Sequence, residues 1–193
     1  MRIKSRKLYR LLAGGVFPLI YFFTPSKIPV QMLIFYLLGI LTPIEVIRKI
    51  TPGFYNVLHE HSRGVLKKEP GILLGDTFYL IAVSIIIAIF SKPVAIISIA
   101  YLIIGDTFSN LIGEAYGKHR FKWGKSIEGS IAFFISSIIS GFLINLYFHF
   151  PFVVILSGAL IETLIEMLPN KIDDNFTIGI AGAVVMELFL KIY

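Results

Sequence analysis

The sequence predicts an all-α, polytopic membrane protein of about seven transmembrane helices, with its N-terminus in the cytoplasm. Three observations carry this reading. Hydrophobic residues make up 56% of the 193-residue chain and charged residues only 16%, against about 25% charged in an average soluble chain. Apolar runs recur along the chain, several of them close to the ~20 residues that cross a bilayer. The basic residues gather on one side of those runs.

The runs can be taken in order. Leu11–Thr24 is short and carries Pro18, while Ile28–Val46 is of full length. Residues 53–68 read as an interfacial helix, with Phe54, Val57 and Leu58 toward lipid. Ile72–Phe90 and Val94–Ile112 form a hairpin about the turn "SKP", and Ile131–Phe150 follows a polar segment. Phe152–Leu168 and Phe176–Leu190 are shorter and bounded by charge or proline. The aromatic stretch "LYFHFPF" at 146–152, with His149 on the outer side, suits a membrane interface. Residues 1–193 read as one integral-membrane domain. The opening "MRIKSRKLYR" has the outline of a signal peptide, yet no small-residue cleavage site follows and a further span does. The absence of cysteine excludes disulfides and thiolate metal sites.

Orientation follows from charge. With the connections assigned alternately to two sides, fifteen of the 18 lysines and arginines share the N-terminal side, and only Lys27, Lys92 and Lys191 take the other. The basic side is the cytoplasm by the positive-inside rule. The net charge of +6 therefore reflects topology, and no nucleic-acid partner is implied. The outer connections are tight turns; the inner ones, at 48–70 and 114–130, are longer. Function is expected on the cytoplasmic face.

Within these apolar runs the acids stand out. "GDTF" occurs at Gly75–Phe78 and again at Gly105–Phe108, with the "SKP" turn midway between the copies. A hairpin folded at that turn brings Asp76 and Asp106 to a similar depth, so the repeat reads either as two sides of one site or as chance. Glu45, Glu162 and Glu166 share that depth. An ionisable group at the centre of a span costs ~2.5–3.5 kcal/mol on insertion scales and commonly marks a functional cavity. Glu162 and Glu166 lie one helical turn apart, where like charges repel. They require a shared proton, a metal ion or a basic partner such as Arg6, Arg48 or Lys49.

Beyond Asp106, the residues Asn110, Gly113 and Gly117 continue one helical stripe. Then comes "YGKHRFKWGKSIEGS", residues 116–130, with four lysines and arginines and three glycines. Such a loop can offer cations and backbone N–H groups to phosphate or simply rest on acidic headgroups. The neighbouring acids favour phosphate, because phosphoryl transfer needs carboxylate-held Mg²⁺ together with positive charge.

The segment "GDTFSNLIGEAYGKHRFKWGKSIEGSIAFF" resembles the signature of the polyprenol kinase family, which includes dolichol kinase, phytol kinase and CTP-dependent diacylglycerol kinase. The matching positions are Gly105, Asp106, Gly113, Gly117, Lys118, Lys125, Ser126, Glu128, Gly129 and Ser130. "RKLYR" echoes the family's Arg-Lys-x-x-His at Arg6 and Lys7, although Arg10 stands where the family has histidine. "KKEPGILLGDTFYL" and "ETLIEMLPNKIDDNFTIGIAG" are similar to two further family segments, at Glu69, Gly75 and Thr77 and at Asp173, Asp174 and Asn175. Phosphatidate cytidylyltransferases share part of this pattern, but their C-terminal Gly-His signature is missing here.

The resemblance implies transfer of phosphate from CTP to the hydroxyl of a membrane lipid alcohol: dolichol or polyprenol, phytol-like, or diacylglycerol-like. Asp106 would hold Mg²⁺, with Glu128, Asp76, Glu162 or Glu166 as second ligand. Lys118, Lys125, Arg6 and Lys7 would neutralise the triphosphate. Gly113, Gly117, Ser126 and Gly129 would lie against the nucleotide, and Asp106, Glu128 and Lys125 would be catalytic. A carboxylate would orient the lipid hydroxyl or take its proton. His59, His61 and His119 read as surface residues. CDP-lipid synthesis and small-membrane-transporter function are the alternative readings.

Overall fold

The computed structural model describes residues 2–61, 75–169 and 173–193, and their side chains apart from 2–8, 48, 49 and several in 52–59. The order is α1 (Arg2–Phe23), α2 (Ile28–Ile50), α3 (Pro52–His61), α4 (Gly75–Ile89) and α5 (Lys92–Ala100). A π-helical segment, Tyr101–Gly105, then runs without a break into α6 (Asp106–Tyr116). α7 (Ile127–Phe148), α8 (Phe152–Met167) and α9 (Asp174–Ile192) complete the bundle. There is no strand among the described residues, only an isolated bridge between Arg120 and Ser126.

Each predicted span thus falls on a helix. Four stretches are long and apolar enough to cross a membrane: Ile28–Ile47, Lys92–Tyr116, Ile127–Phe148 and Asp174–Ile192. The apolar parts of α1 and α4, Tyr9–Phe23 and Gly75–Ile89, are shorter, and α8 has 16 residues. The described part of the expected interfacial segment is α3, on which Val57 is exposed. Phe54, Leu58 and His59 on α3, and residues 62–68 after it, lie outside the described side chains.

Burial explains how so apolar a chain packs. Ile131, Ile135, Ile139, Leu143 and Leu146 form an exposed face of α7, whereas Ser130, Ser136, Ser137, Ser140 and Gly141 are buried. A water-soluble helix shows the reverse pattern. Small residues facing inward and branched apolar ones facing outward suit a helix packed in lipid, where close backbone approach holds the bundle together. The same device joins α8 to α9. A Cβ at Gly158 would lie 2.5 Å from the sulfur of Met186, and one at Gly182 would overlap Glu162. α5 sits at the centre, with Val94–Ala100 buried throughout.

At the end of the bundle near the "SKP" turn, basic side chains close the helix termini. Lys92 Nζ donates to the carbonyls of Phe22 (3.2 Å) and Thr24 (2.7 Å), and Lys27 Nζ donates to that of Ala88 (2.8 Å). These are the orphan C-terminal carbonyls of α1 and α4, which favour cations. Glu187 accepts from the N–H and hydroxyl of Ser91. This end is a set of locked turns. The opposite end holds the chemistry.

Candidate functional site

Asp106 opens α6 directly after the π-helical segment. Such insertions are rare and concentrate at functional sites. Here Tyr101 is wholly buried and donates to the Ile155 carbonyl (3.1 Å), while Gly105 lies against the ring of Phe133. A Cβ at Gly105 would come within 2.7 Å of that ring, so the glycine of the second "GDTF" sets the approach of α7. The Asp106 carboxylate receives Arg10 Nη1 at 3.3 Å and Asn110 Nδ2 at 2.9 Å. Arg10 Nη2 also donates to Asn175 Oδ1 (3.2 Å) on α9. Asn175 in turn donates to the carbonyl of Gly75 (3.3 Å). Four helices therefore meet through Arg10, Asp106, Asn175 and the first "GDTF".

A second group adjoins the first. Lys125 Nζ lies 2.8 Å from Asp174 Oδ2 and 3.5 Å from Glu166 Oε1, and it also bonds the Glu166 carbonyl. Ser109 and Ser130 each donate to the Glu166 carboxylate at 3.0 Å. Glu166 is buried, and this set of donors offsets the cost of burying its charge.

The basic loop between α6 and α7 is a tight ribbon. Gly124 turns it with φ of 94°, a left-handed conformation that glycine adopts freely. Arg120, though exposed, ties the loop by donating to the carbonyls of Gly113 (2.7 Å) and Gly124 (2.9 Å). Ser126 caps α7 by accepting from the Gly129 N–H. Gly113, Gly117 and Gly129 all surround the Ser126 hydroxyl, which a Cβ at any of them would approach to 3.0 Å or less. The space beside these glycines is taken by Ser126 rather than left open to a ligand. Glu128 accepts from the His119 N–H (3.1 Å) and pairs with His119 Nδ1 (2.7 Å), so its carboxylate ties the loop together. Lys118 is exposed.

The predicted acids divide. Asp76, Asp106 and Glu166 stand at this end. Glu162 does not join them: it is fully buried against α9, accepts from Ser98 (2.9 Å), and its second oxygen has no partner among the described residues. One turn of helix separates Glu162 from Glu166, yet their side chains reach different neighbours. Glu45 accepts from Thr77 on α4. Glu166 has Lys125 as a basic partner; the side chains of Arg6, Arg48 and Lys49, the partners expected from the sequence, lie outside the described residues. No group of three or more acids or histidines suited to a metal ion occurs among the described residues. Mg²⁺ does not require one, because it commonly binds through one or two carboxylates plus substrate phosphates. Asp106 fits that mode.

Beside Asp106 opens a cavity of about 450 Å³. Arg10, Asp76, Asp106 and Asn175 line one end, and side chains of α1 and α2 such as Phe17, Leu33 and Leu37 line the rest. Both "GDTF" aspartates face this single cavity.

Arg10, Asn175, Asp174, Ser109 and Ser130 complete the site, and sequence reasoning gave none of them a role. The acidic segment Asp173–Asn175 was the available signal. Arg10 was visible only as a departure from a motif, Ser130 only as a motif position, and the contact of Ser109 and Ser130 with Glu166 becomes legible only once α6, α7 and α8 are packed.

Fold and site together define a helical membrane protein with a charged interhelical centre at one end, joined to an apolar cavity. Among its relatives is a CTP-dependent diacylglycerol kinase of Eremothecium gossypii, 30% identical over 76% of this chain and 54% of that protein. A probable chloroplastic phytol kinase of Triticum aestivum is 30% identical over 63% of this chain and 46% of its own length. An uncharacterized protein of Rickettsia prowazekii is 28% identical over 96% of this chain and 94% of its own. These relatives support the resemblance to a polyprenol or lipid kinase family. The chain spans about half the length of the two named kinases. No family profile matches it, and no solved structure does.

Proposed function

We propose that this protein is a CTP-dependent lipid kinase, moving the γ-phosphate of CTP to the hydroxyl of a membrane lipid alcohol at the cytoplasmic face of a seven-span bundle. The observation that carries this reading is the junction of the charged centre with the apolar cavity. Phosphoryl transfer is catalysed largely by positioning and electrostatics, and this centre holds cations and carboxylates within reach of a cavity suited to lipid. The names of the relatives support the donor and the acceptor class.

Arg10 leaves Asp106 and engages phosphate oxygens, for which its planar fork is well shaped. Lys125 exchanges Asp174 for the triphosphate, and exposed Lys118 adds charge from the loop. Asp106, freed of Arg10, would hold Mg²⁺, which would supply neutralisation of the triphosphate charge. The Gly113–Ser126–Gly129 contact fixes the loop so that Lys125 keeps its place. The lipid oxygen bonds to the γ-phosphorus, the bond from that phosphorus to the bridging oxygen breaks, and CDP leaves. A carboxylate at the cavity's polar end, Asp76 or Asp106, orients the hydroxyl or receives its proton.

CTP labelled separately at the α and γ positions tests the reaction. Label reaching lipid only from the γ position is the expected result. Label from the α position, with pyrophosphate released, would overturn the kinase in favour of cytidylyl transfer.

A further inference from the structure

We infer that the stacked side chains of Phe121 and Trp123, on the loop between α6 and α7, form the platform for the base of the nucleotide donor. The free face of the Trp123 indole receives the base, and Lys125 beside it takes the phosphates. This rests on the nucleotide-dependent kinase reading and adds where the nucleoside is held.

Three observations carry it. The first is the stack. The two rings lie 5.1 Å apart and 4° from parallel. Phe121 backs one face of the indole, yet Trp123 remains 46% exposed, which leaves a flat aromatic surface for a second planar partner. Exposed aromatic residues such as Phe35 and Phe142 stand on apolar helix faces. This pair stands instead in a polar loop, beside the exposed Lys118 and Lys122.

The second is how the indole is held. The Phe121 N–H donates to the Lys125 carbonyl (2.8 Å) and the Gly124 N–H to the Phe121 carbonyl (2.9 Å), so Trp123 sits within a closed turn. Its Nε1 donates to the Met167 carbonyl (2.9 Å) at the end of α8. A tryptophan anchoring a protein at a membrane interface keeps that polar edge for the wet side. Here the edge is spent on the protein and the face is left. A ring fixed in advance loses little freedom when a ligand stacks on it.

The third is position. Lys125 Nζ bonds the carbonyl of Glu166, and Trp123 Nε1 bonds that of Met167. These are consecutive residues at the C-terminus of α8, ~1.5 Å apart along the helix axis. A cation and an aromatic face therefore hang side by side from one helix end. A nucleotide presents the matching pair, a planar base joined through a sugar to anionic phosphates. Aromatic side chains hold bases by their faces, and beside positive charge they do so with little regard to which base it is.

Trp123 is the only tryptophan in the chain, so its fluorescence reports on the platform without turnover. With the full chain in phosphatidylcholine vesicles, CTP should quench the emission saturably, and inorganic tripolyphosphate, which has no base, should not. By titration calorimetry, Trp123→Leu should raise the Kd for CTP about 10-fold and leave that for tripolyphosphate unchanged. Trp123→Phe, which keeps a ring face, should restore most of the binding. Equal weakening of both ligands in Trp123→Leu would mean that the ring only holds Lys125 in place, and would overturn the inference. So would CTP binding that neither quenches the emission nor weakens in Trp123→Leu, a result that leaves the kinase reading standing. Emission that responds to acidic lipid and not to CTP would make the pair a membrane anchor instead. Should Trp123→Leu fail to fold, the contrast in quenching between CTP and tripolyphosphate decides alone. No binding of CTP at all would sink the kinase reading, and the platform with it.

Discussion

Arg10 and Asp106 stand 96 positions apart in the chain, and their side chains meet at 3.3 Å, with 33% and 21% of each exposed. The guanidinium neutralises the carboxylate, so in the proposed reaction nucleotide and metal would have to displace Arg10. Asp106→Asn removes the charge and retains the shape. Turnover should fall at least ~10²-fold, as when an electrostatic transition-state group is lost. Near-normal turnover in folded protein would exclude Asp106 from the reaction. Asp76→Asn should cost less, and equal losses would show the two aspartates acting as one unit.

Arg10 itself can be tested by conservative exchange. Arg10→Lys keeps the charge and loses the fork that spans Asp106 and Asn175. A bidentate role on phosphate predicts a rise in the KM for CTP of about 10-fold with lysine, and more with alanine. In a double-mutant cycle, Arg10→Ala and Asp106→Asn should be non-additive, as contacting residues are. Additive effects would mean that the pair is incidental to function.

How much of this was legible beforehand differs between fold and site. The apolar runs marked the helices of the bundle among the described residues, α3 having been read as interfacial instead, because hydrophobicity is local and dense in this chain. The pairing of Asp76 with Asp106 about one cavity could be anticipated from the symmetry of the two "GDTF" copies around Ser91. The divergence of Glu162 and Glu166 could not, since residues one turn apart on a helix share a face in sequence, and only the packing of Gly182 and Ser98 separates them. Gly113, Gly117 and Gly129 showed that something approaches closely without showing that it is Ser126. The π-helical segment before Asp106 left no trace in hydrophobic periodicity. Arg10 and Asn175 are joined by tertiary contact alone.

Gly105 tests the packing behind Asp106. A methyl group there would meet the buried Phe133 ring at 2.7 Å. Gly105→Ala should therefore destabilise the protein by ~1–3 kcal/mol, the usual cost of overpacking, measured as a fall in Tm. Gly39→Ala, where nothing lies within 4 Å of the added carbon, should leave Tm nearly unchanged. Equal shifts would mean that α7 can move aside at no cost.

Topology can be read with single cysteines, because the chain has none of its own. Ser126 is buried and would label poorly, whereas Lys122 and Lys27 are exposed. Lys122→Cys and Lys27→Cys should react with an impermeant thiol reagent from opposite sides of sealed vesicles. Reaction of both from one side would discard the proposed seven-span arrangement.

Lys125 makes the most demanding prediction, because two carboxylates depend on it. It is held by Asp174 at 2.8 Å and Glu166 at 3.5 Å, and it belongs to the loop that Arg120 and Ser126 anchor. Lys125→Met would leave the buried Glu166 with Ser109 and Ser130 as its partners among the described residues, so loss of stability and loss of phosphate binding would be confounded. Asp174→Asn separates them. That change weakens the hold on Lys125 while keeping its charge free for phosphate. If the Lys125–Asp174 bond is exchanged for the triphosphate, Asp174→Asn should preserve or tighten CTP binding. Lys125→Met should then lower turnover by ~10²-fold or more. CTP binding by titration calorimetry, together with Tm for each variant, distinguishes the two roles. Weakened CTP binding in Asp174→Asn at unchanged Tm would mean that Asp174 contacts the nucleotide complex itself and that the exchange does not occur.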